Sequence, residues 1–228
     1  MKDISSFNAR NPWVNIPVSA PYILAEDEQA LLKYEMDPAM IGLRTELLPV
    51  PYVGDIEQAN VIFLSLNPGF KLKDIEHDRD NKEFHDQTYK NLTFQNKRSF
   101  YFLSPEFKVT HACAWWSAIL KSQIDEQGLD VVSNQCMSIT YHGYRSPFYI
   151  QPPCILPSQK FSFELVRYAM NQMKCIVIMR SKKLWVQAIP ELTDYPYIAV
   201  KNFRRPFLSK NNMIQEDYNK IQSAFSKI

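Results

Sequence analysis

The chain has 228 residues, 46% of them apolar and 13% aromatic, enough for one large domain with a well-filled core. A formal charge of +2 neither demands nor excludes nucleic acid, so any basic patch must be local. No apolar run approaches about 18 residues, and Met1-Lys2-Asp3-Ile4 lacks an apolar signal core, so a membrane span is excluded and a soluble, cytoplasmic protein is expected.

Residues 1–25 are irregular and spaced by Pro12, Pro17 and Pro21, with Trp13 and Tyr22 as anchors onto the body. Residues 1–48 read as an extension packed on a single domain that spans residues 1–228. A short helix is expected from about Asp27 to Tyr34, then an extended approach through Pro49 and Pro51 ending at Gly54. Val61 to Leu66 is a short run of apolar or small residues stopped by a turn tripeptide, which reads as a strand buried on both faces. The charged segment 71–100 is too long for an ordinary loop. A helix from about Asn81 to Tyr89 fits part of it, and the rest is either a solvated surface helix or a substrate flap. Thr110 suits the cap of a helix through Ala112, Trp115, Trp116, Ile119 and Leu120, with both tryptophans read as core.

Cys136–Thr140 reads as a second strand, followed by a helix from Ser158 or Gln159 to Met173. Lys174–Met179 is the third strand, with a helix around Trp185 after it, and Tyr197–Val200 is the fourth. The last helix carries apolar residues at Ile214, Tyr218, Ile221, Phe225 and Ile228. Cys113, Cys136, Cys154 and Cys175 contain no C-x-x-C pair, so they read as reduced thiols rather than a disulfide frame or a zinc site. Strands separated by helix-bearing segments favour parallel pairing with helices on both faces. The expected fold class is therefore α/β, a three-layer α/β/α sandwich on a four-stranded parallel sheet.

Three strand ends carry distinctive groups: Asn67-Pro68-Gly69-Phe70, Tyr141-His142-Gly143-Tyr144 and Asn202-Phe203-Arg204-Arg205, with Ser209 close behind. In a parallel sheet these ends lie on one edge, where ligands bind. Pro68 fixes its own φ and pushes Asn67 out of the helical region, while Gly69 allows an unusual backbone angle or the close approach of a ligand. Amides and aromatics suit the edge and face of a planar heterocycle, and arginines suit flanking phosphates. Each group also has a plainer reading. Asn-Pro-Gly is a common turn, His142 a satisfied histidine, Arg204-Arg205 a solvated pair, and Phe70 a cover for the sheet end.

Ser65-Leu66-Asn67-Pro68-Gly69 after an apolar strand resembles the first motif of the uracil-DNA glycosylase superfamily, in the Asn-Pro-Gly version of the mismatch-specific enzymes. The lead-in from Pro51 to Asn60 is similar to that of some uncharacterised members, and the resemblance spans roughly residues 49–213. It implies a base-binding pocket at the strand ends of an α/β/α fold and hydrolysis of an N-glycosidic bond. Asn67 takes the place of the residue that positions water. Backbone N–H groups of the Pro68-Gly69-Phe70 loop are candidates for contacts to the base, and Asn202 matches the start of the second motif, whose usual His or Asn contacts the base. Tyr141 and His142, from the strand-end cluster, are read as substrate-binding beside them. Arg204, Arg205 and Ser209 would face the nucleic acid. DNA or another nucleic acid is the implied partner, with a free nucleobase or nucleotide as a further ligand, and neither a metal nor another cofactor is expected.

The chain departs from the family pattern at three places. Phe203 to Ser209 replaces the usual Pro-Ser of the second motif, Arg79-Asp80 stands where the stacking aromatic falls, and Thr140-Tyr141-His142 replaces a strand-end asparagine. A non-catalytic nucleobase-binding module on the same scaffold therefore stands beside the enzyme reading. A third class is an interaction protein that uses segment 71–100.

Overall fold

The computed structural model describes residues 9–35, 42–95, 100–149 and 154–226, so the readings of residues 1–8 and of Ile228 lie outside the described residues. Along the chain, α1 (Glu28–Glu35) precedes the two-residue strand β1 (Tyr52–Val53) and the strand β2 (Val61–Ser65). The polar stretch after β2 folds as two helices, α2 (Leu72–Asp80) and α3 (Lys82–Leu92). They are followed by α4 (His111–Ile119), α5 (Lys121–Gln127), α6 (Leu129–Gln135) and β3 (Cys136–Thr140). The chain then forms α7 (Pro157–Asn171), β4 (Cys175–Ile178), α8 (Lys182–Ala188), β5 (Ile198–Ala199) and α9 (Gln215–Phe225).

The strands make one sheet in the order β1-β3-β2-β4-β5. β3, β2, β4 and β5 run parallel, and β1 pairs antiparallel with β3, Tyr52 opposite Ile139 and Val53 opposite Ser138. The expected four-stranded parallel sheet is thus corrected to a mixed sheet of five strands. A two-residue strand beside Pro51 is too short to show period-two alternation in the sequence. Gly54 permits its close pairing. Its φ is +106°, and a Cβ there would lie 2.6 Å from the Cys136 carbonyl oxygen.

β2 is flanked on both sides, in register with Cys136–Thr140 and with Cys175–Ile178, and all five of its residues are buried. Its side chains alternate between two cores. Ile62 and Leu64 join Met137, Ile139, Ile176 and Ile178 against Phe161 and Leu165 of α7 and Trp185 of α8. Val61 and Phe63 join Cys136 and Val177 against Trp116 and Ile119 of α4 and Tyr218, Ile221 and Phe225 of α9. Helices therefore cover both faces, which gives three layers. The chain steps from β2 to β3 on one side and returns across β2 to β4 on the other. The strand order reverses at β2, and a crevice is expected beyond its carboxyl end.

Several local readings shift. Segment 71–95 is helical on both sides of Asn81, whose side chain accepts from the Phe84 N–H at 3.0 Å and starts α3. Ile214 is the residue before the first turn of α9 and is 53% exposed, so the buried face of that helix begins at Tyr218. Cys113, Cys136, Cys154 and Cys175 form no disulfide, and Cys113 and Cys136 are buried. Among the described residues no helix is long and apolar enough to cross a membrane. No group of three or more His, Cys, Asp or Glu side chains among them is placed to hold a metal ion.

Candidate functional site

The loops that leave β2 and β3 run side by side. The Tyr141 N–H donates to the Ser65 carbonyl at 3.1 Å, His142 N–H to Leu66 at 2.9 Å, and Ser146 N–H to Pro68 at 3.4 Å. These bonds extend the parallel pairing past the last strand residues and fix the Asn67-Pro68-Gly69 loop against residues 141–146. Asn67 Nδ2 donates to the Pro68 carbonyl at 3.2 Å and to Ser146 Oγ at 2.8 Å. A carbonyl can only accept, so this contact settles which end of the carboxamide is nitrogen. The Asn67 Oδ1 is left with no donor among the described residues.

Asn67 lines a cavity of about 480 Å³ at these strand ends. Ser138 and Thr140 of β3 form part of its floor, and Pro68, Gly69 and Phe70 form the near wall. His111, Trp115 and Trp116 enter from α4, and Arg145, Ser146 and Tyr149 from the loop after β3. Arg180 closes the side beyond β4. Thr110 begins α4 by accepting from the Cys113 N–H at 3.0 Å, which sets the first turn carrying His111 beside Gly69. The Thr140 hydroxyl is engaged by the Val50 and Pro51 carbonyls at 3.0 and 3.1 Å, so it serves the β1 edge.

Three of the residues that line the cavity carry buried donors without partners. Arg145 is only 4% exposed, its Nε donates to the Leu48 carbonyl at 3.0 Å, and its Nη2 has no partner. The Tyr149 hydroxyl is buried without a partner, and burial raises its pKa above the ordinary phenol value, with Tyr141 adding to the shift. Arg180 holds its Nη2 3.4 Å from the Arg204 carbonyl and its guanidinium 5.8 Å from the centre of the Trp115 ring, while its Nε is buried and unpartnered. Burial lowers the Arg180 pKa, yet a guanidinium stays charged in a protein. Phe70 is buried, with the Arg44 guanidinium 4.5 Å from its ring centre.

The expected site residues separate into those in the cavity and those elsewhere. Asn67, Pro68, Gly69 and Phe70 line it. Gly69 does not use a positive φ, and a Cβ there would make only an ordinary 3.7 Å contact with His111. The special backbone angle expected of it is therefore not needed.

Tyr141 and His142 are not among the cavity residues, and the reason is strand parity. Ser138 and Thr140 face the cavity, so Ile139 and Tyr141 face the opposite core. There Tyr141 meets Trp185 edge-on at 5.3 Å and Phe163 at 5.3 Å. His142 is 2% exposed, with Nδ1 3.3 Å from the Tyr144 carbonyl, and burial lowers its pKa to about 4.

Asn202 also lies outside the cavity. Its Oδ1 accepts from the Arg204 and Arg205 N–H groups at 3.1 and 3.2 Å, and its own N–H donates to Asn212. Arg204 and Arg205 are exposed and Ser209 is half-buried. The bond from Arg180 to the Arg204 carbonyl links this loop to the cavity. The expectation that three strand ends share one pocket is corrected to two loops, joined by α4 and Arg180.

The sequence reading missed Arg145, Ser146 and Arg180 as site residues, although each follows a strand end closely and the strand-end rule points to them. Trp115 was read as core. Trp116 is core, at 5% exposure, whereas Trp115 is half-buried in the cavity wall. His111 and Trp115 arrive from a helical excursion far from any strand end, and no sequence signal marked them. Comparison of the chain with protein-family models, with curated proteins and with solved structures gave no match.

Proposed function

We propose that the protein binds a nucleobase in this cavity and hydrolyses its N-glycosidic bond, on a scaffold like that of the uracil-DNA glycosylases. The observation that carries the reading is the Asn67 carboxamide. Its nitrogen is held by Pro68 and Ser146, while its oxygen has no donor among the described residues. An amide does not act as a base near neutral pH, but a fixed acceptor orients a water by taking one of its hydrogens in a hydrogen bond.

In the proposed reaction the bond from the sugar carbon to the base nitrogen breaks, and its electron pair leaves with the base. The water oxygen bonds to the sugar carbon, and the proton it releases ends on the base. The cationic side chains of the cavity favour a departing base that carries negative charge. Phe70 and Trp115 supply apolar ring surface beside Asn67. The residue match at Ser65-Leu66-Asn67-Pro68-Gly69 and the topology reversal at β2 both support this assignment.

The test is base release from uracil, hypoxanthine and modified-base substrates, as oligonucleotides and as free nucleotides. Asn67→Ala is expected to lower release by about 100-fold or more, the scale of losing one preorganised transition-state contact, with an unchanged circular dichroism spectrum and melting temperature. Unchanged release by that variant would remove Asn67 from the mechanism. One observation favours the second reading, a binding module without catalysis: Asn202, at the second-motif position, caps its own loop instead of facing the cavity. Base binding without release on every substrate would select that reading.

A further inference from the structure

We infer that the cavity ligand carries a phosphate held by Arg145, and that its class is the free nucleoside monophosphate. This deepens the nucleobase reading of the same cavity and rests on it.

Arg145 is 4% exposed and lines the cavity. One nitrogen, Nε, is fixed on the Leu48 carbonyl at 3.0 Å, which sets the plane of the guanidinium. Neither terminal nitrogen donates to any described residue, and Nη2 is fully enclosed. A buried guanidinium whose terminal nitrogens meet no acceptor is a costly arrangement unless a partner with two acceptor atoms meets it.

No described residue supplies that partner. Asp78, whose Oδ1 is itself buried without a partner, lies near enough to feel the charge of Arg145, but no ion pair joins them. Asp74, the acid in the cavity wall, already accepts from the Lys71 N–H at 2.7 Å. The remaining open groups are mostly donors. Tyr149 OH and Arg180 Nε have no partner, and the Ser146 hydroxyl, which accepts from Asn67, keeps its own hydrogen to give. A set of donors around a fixed fork matches a group with several acceptor oxygens and negative charge.

A phosphate on a free nucleotide fits better than one in a polymer. Arg145 lies inside the cavity, whereas the phosphates of a strand stay on a chain that runs outside it. The exposed arginines Arg204 and Arg205 are not part of the cavity, and the chain as a whole carries a formal charge of only +2. A volume of about 480 Å³ is in the range of small-molecule sites.

Calorimetric titration of the intact protein with the four common nucleoside monophosphates, the matching nucleosides, inorganic phosphate and phosphorylated single-stranded oligonucleotides tests this. At least one monophosphate is expected to bind about tenfold or more tightly than its nucleoside, the scale of one charge-assisted contact. Arg145→Lys, which keeps the charge but loses the fork, is expected to erase that advantage, so that monophosphate and nucleoside bind alike. Should that variant fail to fold, Tyr149→Phe tests the same cluster and is expected to weaken the monophosphate selectively, by about threefold or more.

Equal affinity for nucleoside and monophosphate would overturn the phosphate role of Arg145 and leave the nucleobase reading intact. Binding of oligonucleotides alone would overturn the assignment to free nucleotides. Binding of inorganic phosphate that depends on Arg145, with no nucleoside bound, would uphold the phosphate contact and overturn the nucleobase reading.

Discussion

Asn67 is half-buried and His142 buried, on the neighbouring loops that leave β2 and β3, and they serve opposite ends. Asn67 is held in position by two acceptors and offers its oxygen to the cavity. His142 is enclosed, and its Nδ1 must carry the proton because the Tyr144 carbonyl 3.3 Å away can only accept. Burial lowers the His142 pKa from 6.5 to about 4, against a small opposing contribution from that bond. The sign follows from proton uptake. Between these two values the unfolded chain binds a proton that the folded one does not, so stability falls as pH drops. The loss is ~1.4 kcal/mol per pH unit and totals on the order of 3 kcal/mol below pH 4. Urea midpoints measured from pH 7 to pH 4 are expected to show this decline, and His142→Phe is expected to flatten it. A decline of equal steepness in the variant would assign it to other groups.

At the scale of elements, the edge strand β1 shows how much a short segment can set. Its two residues cap the β3 side of the sheet, and the Thr140 hydroxyl, bonded to Val50 and Pro51, joins that edge to the cavity floor. Gly54 is the pivot, because a side chain there meets a backbone oxygen rather than a movable side-chain tip. Gly54→Ala is expected to destabilise the fold by roughly 2 kcal/mol or more, from strained φ and the clash together. Gly69→Ala, with normal φ and room beside His111, serves as the control in the same urea series. Equal effects of the two would show that the β1 edge is not built as described. The helices divide in the same way. α7 and α9 follow their apolar spacing, whereas α5 and α6 are short, joined at Gly128 with φ +89°, and were not expected from periodicity.

For the whole molecule, one sheet serves two cores. Adjacent residues of β2 enter opposite layers, Phe63 with Trp116 and Leu64 with Trp185, so neither layer can separate without exposing the central strand. A single cooperative transition is expected in calorimetry. Phe63→Ala and Leu64→Ala should each lower that same transition, by about 3–5 and 2–5 kcal/mol respectively. Two resolved transitions, each shifted by one variant only, would mean that the layers fold as separate units.

The sequence by itself determined the four parallel strands, the longer helices and the stiff Asn67-Pro68-Gly69 exit. These depend on local matters: runs of β-branched residues, helical spacing and the limits that proline places on its neighbours. Tertiary structure alone decided which strand-end groups share a cavity. Thr140 faces in and Tyr141 faces away because side chains alternate along a strand, and the register with β2 fixes that choice. It also decided that Arg145 is buried with its terminal nitrogens unpartnered, which no spacing in the chain encodes. That outcome depends on where Leu48, 97 residues earlier, places a carbonyl, and on Asp78 standing near it without forming an ion pair.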